Sequence, residues 1–232
     1  MLLNRDQTFK FVFNLRTQRA SGGEILGSGI FLAKGEDLYL LTASHVAYET
    51  NSTTVLVIID EKGTPTSMPL SMLSNTNSWK HHAVADIAIL PIDKRAVVGD
   101  ILIQRFFPID HFQTHRSPVS RDIELTTVGF PHGLGVNGMF SPLTYRSYAS
   151  SAIISFNRFD TKTPCEFFLL ENPSVGGYSG GPVFDLGIMI VGAMTTTKDR
   201  TYCLGIIHGT ISDETGGKLT AVTPTYYLHG FI

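Results

Sequence analysis

The sequence predicts an all-β protein, and three observations favour that fold class. Short apolar runs of four to eight residues, rich in Val, Ile, Phe, Leu and Tyr, recur along the whole chain. Clusters of Gly, Pro, Asn, Asp and Ser separate these runs, as turns between strands do. Apolar residues at helical spacing do not persist over three turns anywhere in the chain. A β-sandwich or a set of β-barrels is therefore expected.

Twelve apolar runs are the clearest candidate strands. Turn-forming residues bound most of them, for example the Ser21-Gly22-Gly23 and Glu61-Lys62-Gly63 segments. Single helical turns are expected only after Thr42 and within residues 110–115. In chain order, the candidate strands are residues 9–15, 29–33, 38–42, 55–59, 87–90, 123–128, 152–156, 167–170, 182–184, 188–194, 203–207 and 219–223.

The candidate strands divide into two groups of about six, a number that suits one small β-barrel each. The region between Pro91 and Arg121 separates the groups and holds further turn formers, Gly99, Pro108 and Pro118. We therefore expect an N-terminal barrel in residues 1–105, a linker in residues 106–120 and a C-terminal barrel in residues 121–232.

Composition excludes several classes of protein. Of the 232 residues, 43% are apolar and only 16% are charged, which argues against disorder and against a coiled coil. The 18 Lys and Arg residues do not exceed the 20 Asp and Glu residues, so neither nucleic acid nor an anionic membrane is expected as a partner. Apolar stretches reach only about eight residues, whereas a membrane-spanning helix needs about 20.

The chain starts without the apolar run of a signal peptide, so a cytoplasmic location is expected. Its two cysteines, Cys165 and Cys203, exclude a disulfide-rich framework and a zinc site made of four cysteines. They could form one bridge or stay two thiols. The histidine pair 111 and 115 lacks the glutamate of a zinc protease, so no metal and no other cofactor is expected.

Three short segments carry residues suited to nucleophilic catalysis. His45 follows an apolar strand in Thr42-Ala43-Ser44-His45-Val46, Asp86 begins the apolar run Asp86-Ile87-Ala88, and Ser179 lies in the glycine-rich turn 176–181. A serine hydroxyl is a weak nucleophile unless an imidazole takes its proton. A buried carboxylate would orient that imidazole and stabilise its charged form.

The glycines around Ser179 have a separate role. Without a Cβ they permit backbone conformations in which N–H groups point into a site. The N–H groups of Gly177 and Ser179 are the candidate oxyanion hole, where each donor contributes about 2.7–4 kcal/mol to lowering the barrier.

Together these segments resemble the chymotrypsin-fold (trypsin-like) serine peptidases. Thr42–Val46 resembles the Thr-Ala-Ala-His block of that family, 86–88 its Asp-Ile-Ala block, and 177–182 its Gly-x-Ser-Gly-Gly-Pro block. The order His, Asp, Ser is also that of the family, with gaps of 41 and 93 residues. Residues 27–32, 128–133 and 221–227 resemble, in turn, the strand before the histidine, the first strand of the second barrel and the last strand.

The resemblance implies two six-stranded antiparallel barrels with the active site between them. It further implies a serine endopeptidase in which His45, Asp86 and Ser179 form the catalytic triad and a protein or peptide is the substrate. The sequence has neither the activation segment of the digestive members nor the disulfide beside their histidine. It therefore resembles a compact bacterial-type member without a propeptide or PDZ domain, and cleavage of a specific intracellular protein is expected.

Two segments are candidates for the strand that binds the substrate backbone. The resemblance favours 204–210, with Ile207, His208, Gly209 and Thr210 as contacts, over the earlier 190–194. For His208 two interpretations stay open, a wall of the primary pocket that favours Glu or Gln, or structural support for Asp86. The resemblance also places Pro173 and Ser174 in this pocket, where trypsin-like enzymes have the aspartate that selects basic residues, so no basic preference is predicted.

Three rival functions stay open. Gly177-x-Ser179-x-Gly181 also fits the nucleophile elbow of an α/β-hydrolase esterase, but only 53 residues remain for the other catalytic groups. A catalytically silent binding module on a protease fold is the second rival. The third is a protease that stays inactive until a protein partner orders residues 176–178, with residues 68–79 and 188–194 as candidate partner surfaces.

Overall fold

Antiparallel strands dominate the computed structural model, which describes residues 1–74, 78–93, 102, 104–191 and 194–232. Three sheets are present among these residues, two of them large and one a separate hairpin. The all-β prediction is confirmed.

The first large sheet is formed by the N-terminal half of the chain. Its path is β5-β4-β1-β2-β3-β7-β6, all antiparallel, and β8 adds one parallel pairing beside β2. The strands are β1 (Val12–Gln18), β2 (Glu24–Lys34), β3 (Asp37–Thr42), β4 (Val55–Ile59), β5 (Pro65–Pro69), β6 (Lys80–His81), β7 (Ala88–Pro91) and β8 (Phe107–Pro108).

The second large sheet is formed by the C-terminal half, in the order β10-β9-β13-β16-β17-β12-β11. Strands β14 and β15 pair only with each other, as a hairpin outside this sheet. The strands are β9 (Leu125–Gly129), β10 (Leu143–Ser147), β11 (Ile154–Asn157), β12 (Pro164–Leu170), β13 (Pro182–Asp185), β14 (Ile188–Val191), β15 (Met194–Thr197), β16 (Tyr202–Ser212) and β17 (Lys218–Pro224).

Helical structure is limited to short turns. The α-helices are α1 (Arg5–Thr8) and α2 (Ser44–Tyr48), so the helical turn predicted after Thr42 is confirmed. A 3₁₀ turn at Ile109–His111 overlaps the turn predicted within residues 110–115, and further 3₁₀ turns are Phe9–Phe11, Leu70–Met72, Pro131–Gly133 and Thr225–Leu228. Of the helices in the described part of the chain, none has the length and apolar character needed to cross a membrane.

The large sheets hold eight and seven strands, more than the six predicted for each barrel. Two of the added strands, β6 and β8, are two residues long and so give no apolar run to detect. Strand β5 begins and ends with proline, which is typical of an edge strand and hides it from a search for β-branched runs.

A shared hydrophobic core joins the two large sheets. It includes buried side chains from both halves of the chain, and Phe107 lies at its centre. The ring centroid of Phe107 is 5.1 Å from that of Phe11, 5.5 Å from Phe112 and 5.4 Å from Phe184, all edge to face. Phe107 and Phe112 belong to the segment predicted as a linker, and both are buried here.

Candidate active site

Three reactive side chains lie where strands begin or end. His45 is in α2, directly after β3, and Asp86 comes shortly before β7. Because β3 and β7 are antiparallel neighbours, with Thr42 paired to Ala88, the end of one strand lies beside the start of the other. Ser179 is in the turn before β13 of the second sheet. The fold therefore brings together His45 and Asp86 from the first sheet and places Ser179 on the second.

Asp86 holds His45 through two hydrogen bonds. Nδ1 of His45 donates to Oδ2 of Asp86 at 2.7 Å, and the main-chain N–H of His45 donates to Oδ1 at 3.0 Å. The Asp86 side chain is fully buried, whereas 23% of the His45 side chain is exposed. Since the carboxylate can only accept, Nδ1 of His45 carries the proton and Nε2 is left to accept another.

Two further donors complete the surroundings of Asp86. Nδ1 of His208 lies 2.6 Å from Oδ2, and Nη2 of Arg158 donates to Oδ1 at 3.1 Å. Burial alone would raise the pKa of Asp86, but hydrogen bonds from His208 and His45 outweigh it and hold the pKa well below its ordinary value. Asp86 is therefore a carboxylate anion despite having no contact with solvent.

His208 reaches Asp86 because β16 has a bulge at this point. The register between β16 and β17 shifts between Ile207 and Gly209, and a bulge of this kind redirects a side chain. The buried imidazole stacks on the rings of Phe159 and Phe167, at centroid distances of 3.9 and 4.9 Å. This geometry matches the interpretation of His208 as support for Asp86, and its ring has no exposed surface with which to line an open pocket.

The turn before Ser179 presents two main-chain donors. Within the described part of the chain, the N–H groups of Gly177 and Ser179 have no acceptor, whereas the N–H groups of Gly180 and Gly181 are bonded. Gly177 has a φ of +103°, and a Cβ there would lie 2.4 Å from the carbonyl oxygen of Phe130, so no larger residue fits. Two free donors beside a serine hydroxyl are what an oxyanion hole requires.

Contacts from outside the turn fix the direction of the Gly177 N–H. The N–H of His132 binds the Gly176 carbonyl at 2.8 Å, and in a trans peptide the N–H of the next residue points the opposite way. Ser28 of β2 acts from the first sheet, where its Oγ donates to the Gly177 carbonyl at 2.7 Å. The main-chain N–H of Ser28 also donates to the Ser179 carbonyl at 2.8 Å.

The Ser179 hydroxyl donates to the main-chain carbonyl of His208 at 3.3 Å. Among the hydrogen bonds of the described residues, none joins this hydroxyl to His45. The two side chains are instead linked through His208, whose ring binds Asp86 and lies 5.7 Å, centroid to centroid, from the ring of His45.

The predicted substrate-binding residues of β16 lie beside the Ser179 turn. The N–H of Gly180 donates to the Ile207 carbonyl at 2.9 Å, and the N–H of Ile207 donates to the Gly181 carbonyl at 2.9 Å. Gly209 is buried under the ring of Phe159, which is 2.7 Å from the place a Cβ would take. The earlier candidate segment, 190–194, includes residues 192 and 193, which lie outside the described residues.

The predicted pocket residues on the two sides of the turn are joined by hydroxyl groups. Oγ1 of Thr210 donates to the Ser174 carbonyl at 2.6 Å and lies 2.9 Å from the Ser174 hydroxyl. Ser174 is buried, and Pro173 beside it is exposed. Residues 173–174 and 207–210 therefore lie together next to Ser179.

A metal site is a second chemical use of the same side chains. The ligand-type atoms of His45, Asp86 and His208 lie within 4.8 Å of one another, and among the described residues this is the one such cluster. Each imidazole already donates to Asp86 through Nδ1, and the cation of Arg158 binds the same carboxylate. These hydrogen bonds account for the cluster without an ion.

The remaining predictions concern cysteines and partner surfaces. Cys165 and Cys203 are both buried and free, so the alternative of two thiols is correct and the bridge is not formed. Burial raises the pKa of both thiols. The candidate partner segments 68–79 and 188–194 contain residues 75–77 and 192–193, which lie outside the described residues.

Sequence reasoning missed Ser28, Arg158 and Asp160. Arg158 and Asp160 lie in a polar turn between β11 and β12, where charged residues are ordinarily solvated. Ser28 was noticed only as part of a strand motif. Their contacts with the site span 72 to 149 residues of sequence, so no local pattern could have revealed them.

Comparisons with known proteins agree with this geometry. The sequence model of a family described as a trypsin-like peptidase domain matches residues 27–192. No curated protein matches the sequence.

Solved structures of serine proteases share the fold. The active form of the Rv3671c protease from M. tuberculosis is 16% identical, with a TM-score of 0.63 over 97% of this chain and 80% of that one. The serine endoprotease from Yersinia pestis is 20% identical, with a TM-score of 0.54 over 99% of this chain and 65% of that one. The thermostable serine protease AL20 from an extremophilic microorganism is 12% identical, with a TM-score of 0.56 over 96% and 95%. The predicted chymotrypsin-like two-barrel fold is thereby confirmed.

Proposed function

The chain belongs to the trypsin-like peptidase domain family, and from that premise we propose that it is a serine endopeptidase acting through an acyl-enzyme on Ser179. One observation carries the proposal. A buried Asp86 binds Nδ1 of His45 at 2.7 Å, on the other side of His208 from a serine flanked by two free N–H groups.

In the proposed reaction, Oγ of Ser179 attacks the carbonyl carbon of the scissile peptide bond. Its proton passes to Nε2 of His45, after the hydroxyl has turned away from the His208 carbonyl. The electron pair of the C=O bond moves to oxygen, and the N–H groups of Gly177 and Ser179 bind the resulting oxyanion. Asp86 stabilises the positive charge that His45 acquires.

Collapse of the tetrahedral intermediate breaks the C–N bond. The departing amine takes the proton from His45, and the acyl group stays on Ser179 as an ester. A water molecule then attacks this ester, giving its proton to His45, and the second collapse returns that proton to Oγ of Ser179. His45 thus acts twice as base and twice as acid, and the protein ends as it began.

The substrate is proposed to be a protein or peptide in extended conformation along residues 207–210. Main-chain groups of β16 would bind the substrate backbone, and Pro173 and Ser174 would border the primary pocket. Hydrogen bonds of Thr210 to Ser174 support this placement, because they join the two sides of the pocket next to Ser179. Cleavage of one specific protein inside the cell is part of the proposal.

Labelling with a fluorophosphonate tests the proposal. The reagent forms a covalent bond only with a serine that a base and an oxyanion hole activate. Intact mass should show one adduct on the parent protein, none on Ser179→Ala and strongly slowed labelling of His45→Ala. Equal labelling of the parent and Ser179→Ala would show that another residue reacts and would overturn the assignment.

A second candidate is a protease that a protein partner switches on, with catalytic silence in its absence. It is favoured by one observation, the donation of the Ser179 hydroxyl to the His208 carbonyl rather than to His45. An adduct on the isolated chain would exclude this candidate. An unlabelled chain that becomes labelled when its cell extract is restored would establish it.

A further inference from the structure

The turn between β11 and β12 connects the second sheet to the buried Asp86 of the first. Arg158 is the first residue of this turn, and its side chain is only 4% exposed. Its Nη2 donates to Oδ1 of Asp86 at 3.1 Å, and its Nη1 donates to the Val84 carbonyl at 3.1 Å. Main-chain bonds to Thr163 and Lys162 close the turn behind it.

Asp160 holds the same guanidinium from the other side. Nε of Arg158 donates to Oδ1 of Asp160 at 2.9 Å, and Nη2 donates to Oδ2 at 2.5 Å. The Asp160 side chain is 17% exposed, so this is a largely buried pair. A two-point contact of this kind fixes the plane of a guanidinium and leaves it little freedom to move.

The three side chains form a short row of alternating charge, Asp86, Arg158 and Asp160. His45 is next to the negative end of the row, at 2.7 Å from Asp86. Water does not screen these charges, because Asp86 and Arg158 are buried. A change of charge at either outer member of the row therefore acts on the imidazole of His45.

We propose that Arg158, anchored by Asp160, is a positioning residue that fixes Asp86 between the sheets and sets the electrostatic potential at His45. Arg158 does not touch the reacting atoms and acts only through Asp86. The role in catalysis rests on the proposed peptidase function, whereas the electrostatic link to His45 does not.

Other charged or titratable groups near His45 need to be counted. Asp86 and His208 face it directly, and His81 lies beside it through a bond of 2.7 Å to Ser44. Cys165 lies near Asp86, but its buried thiol has a raised pKa and is neutral. Glu49, on the same helix as His45, is exposed. The substitutions proposed below leave all of these groups in place.

The proposal predicts opposite effects for the two outer charges. Arg158→Gln removes the cation and leaves two carboxylates, so the charged form of His45 gains stability and its titration midpoint should rise. Asp160→Asn is nearly isosteric and leaves Arg158 uncompensated, so the midpoint should fall. Each shift should be about half to one pH unit. In the double variant the two changes should largely cancel.

The titration can be followed by NMR of the imidazole protons of His45, in a Ser179→Ala background that needs no activity. Arg146→Gln is the matched control, because it removes a charge from a pair whose arginine is 61% exposed. Opposite shifts for Arg158→Gln and Asp160→Asn, with none for Arg146→Gln, support the proposal. Shifts in the same direction, or shifts no larger than that of the control, overturn it.

Kinetics with intact Ser179 then test positioning. Arg158→Gln should lower kcat about tenfold to a hundredfold with little change in KM, and Arg158→Lys should recover part of the loss. A merely structural arginine would lower the melting temperature and leave the pH profile unmoved. If Arg158→Gln does not fold, Asp160→Asn alone decides. Absence of peptidase activity in the parent would overturn the proposed function and leave the NMR result to stand by itself.

Discussion

At the scale of single residues, the site depends on how one buried carboxylate is satisfied. Asp86 accepts four hydrogen bonds, two from His45 and one each from His208 and Arg158. A carboxylate has about four lone-pair positions, so its capacity is filled. Because burial of an unpaired charge is costly, this complete set of donors keeps Asp86 ionised away from water.

The lowered pKa of Asp86 makes a prediction about stability and pH. An Asp in an unfolded chain has a pKa of about 3.9, so a lower value in the folded state contributes stability above that pH. The contribution is lost as the pH falls from about 5 toward the folded-state pKa. Asp86→Asn should therefore be less stable than the parent at pH 7, by about 2 kcal/mol, with a difference that shrinks in acid.

Urea unfolding at pH 7 and at pH 3.5 measures both quantities. Asp122→Asn, which removes an exposed carboxylate, is the control and should match the parent at both pH values. A stability difference between the parent and Asp86→Asn that stays constant with pH would show that Asp86 does not carry this pH dependence.

At the scale of elements, local segments were predictable and their long-range partners were not. The turns that carry His45, Asp86 and Ser179 are each contiguous stretches of fewer than ten residues, so their composition shows in the sequence. The contact of Ser28 with Gly177 joins residues 149 apart, and that of Arg158 with Asp86 joins residues 72 apart. Such contacts follow from the packing of two sheets, which local periodicity does not encode.

Strand prediction failed for a related reason. Strands β6 and β8 are only two residues long, and neighbouring strands rather than their own sequence hold them in place. The predicted strand 188–194 was wrong in extent, since β14 ends at Val191 and β15 begins at Met194. Both are rich in residues that favour strands, so propensity alone could not place the reversal between them.

Two adjacent glycines of the Ser179 turn give a prediction with its own control. Gly177→Ala forces a Cβ to 2.4 Å from the Phe130 carbonyl at a φ of +103°, so the turn has to shift. We expect kcat to fall about 100-fold to 1000-fold, as for loss of an oxyanion donor. Gly176→Ala meets no atom within 4 Å and has an ordinary φ, so kcat should stay close to that of the parent.

Steady-state kinetics on a peptide substrate, with circular dichroism to check folding, would measure both variants. Equal losses for Gly176→Ala and Gly177→Ala would mean that general disturbance of the loop, rather than the direction of the Gly177 N–H, controls the rate.

At the scale of the whole molecule, the site exists only where the two sheets meet. Asp86 takes donors from His45 on one side and from His208 and Arg158 on the other, and Ser28 reaches across to the Ser179 turn. The shared core around Phe107 packs the same two sheets together. Two barrels connected in this way should behave as one cooperative unit, although the sequence divides into two groups of strands.

The chain offers a separate probe for each sheet. The single tryptophan, Trp79, is partly buried against the core of the first sheet, so its fluorescence follows unfolding there. Cys203 is fully buried in β16, so its reaction with a thiol reagent follows exposure of the second sheet. In urea the two signals should change with one midpoint, because loss of either sheet removes the contacts that bury the other.

Phe107→Ala tests the origin of this coupling. It removes a ring that contacts Phe11, Phe112 and Phe184, so the free energy of unfolding should fall by about 3–5 kcal/mol. If the shared core couples the sheets, the tryptophan and thiol midpoints should move together to lower urea, or begin to separate once coupling is lost. Two midpoints already separated in the parent would show that the barrels unfold independently, and cooperation across the site would then have to come from the Asp86 hydrogen bonds alone.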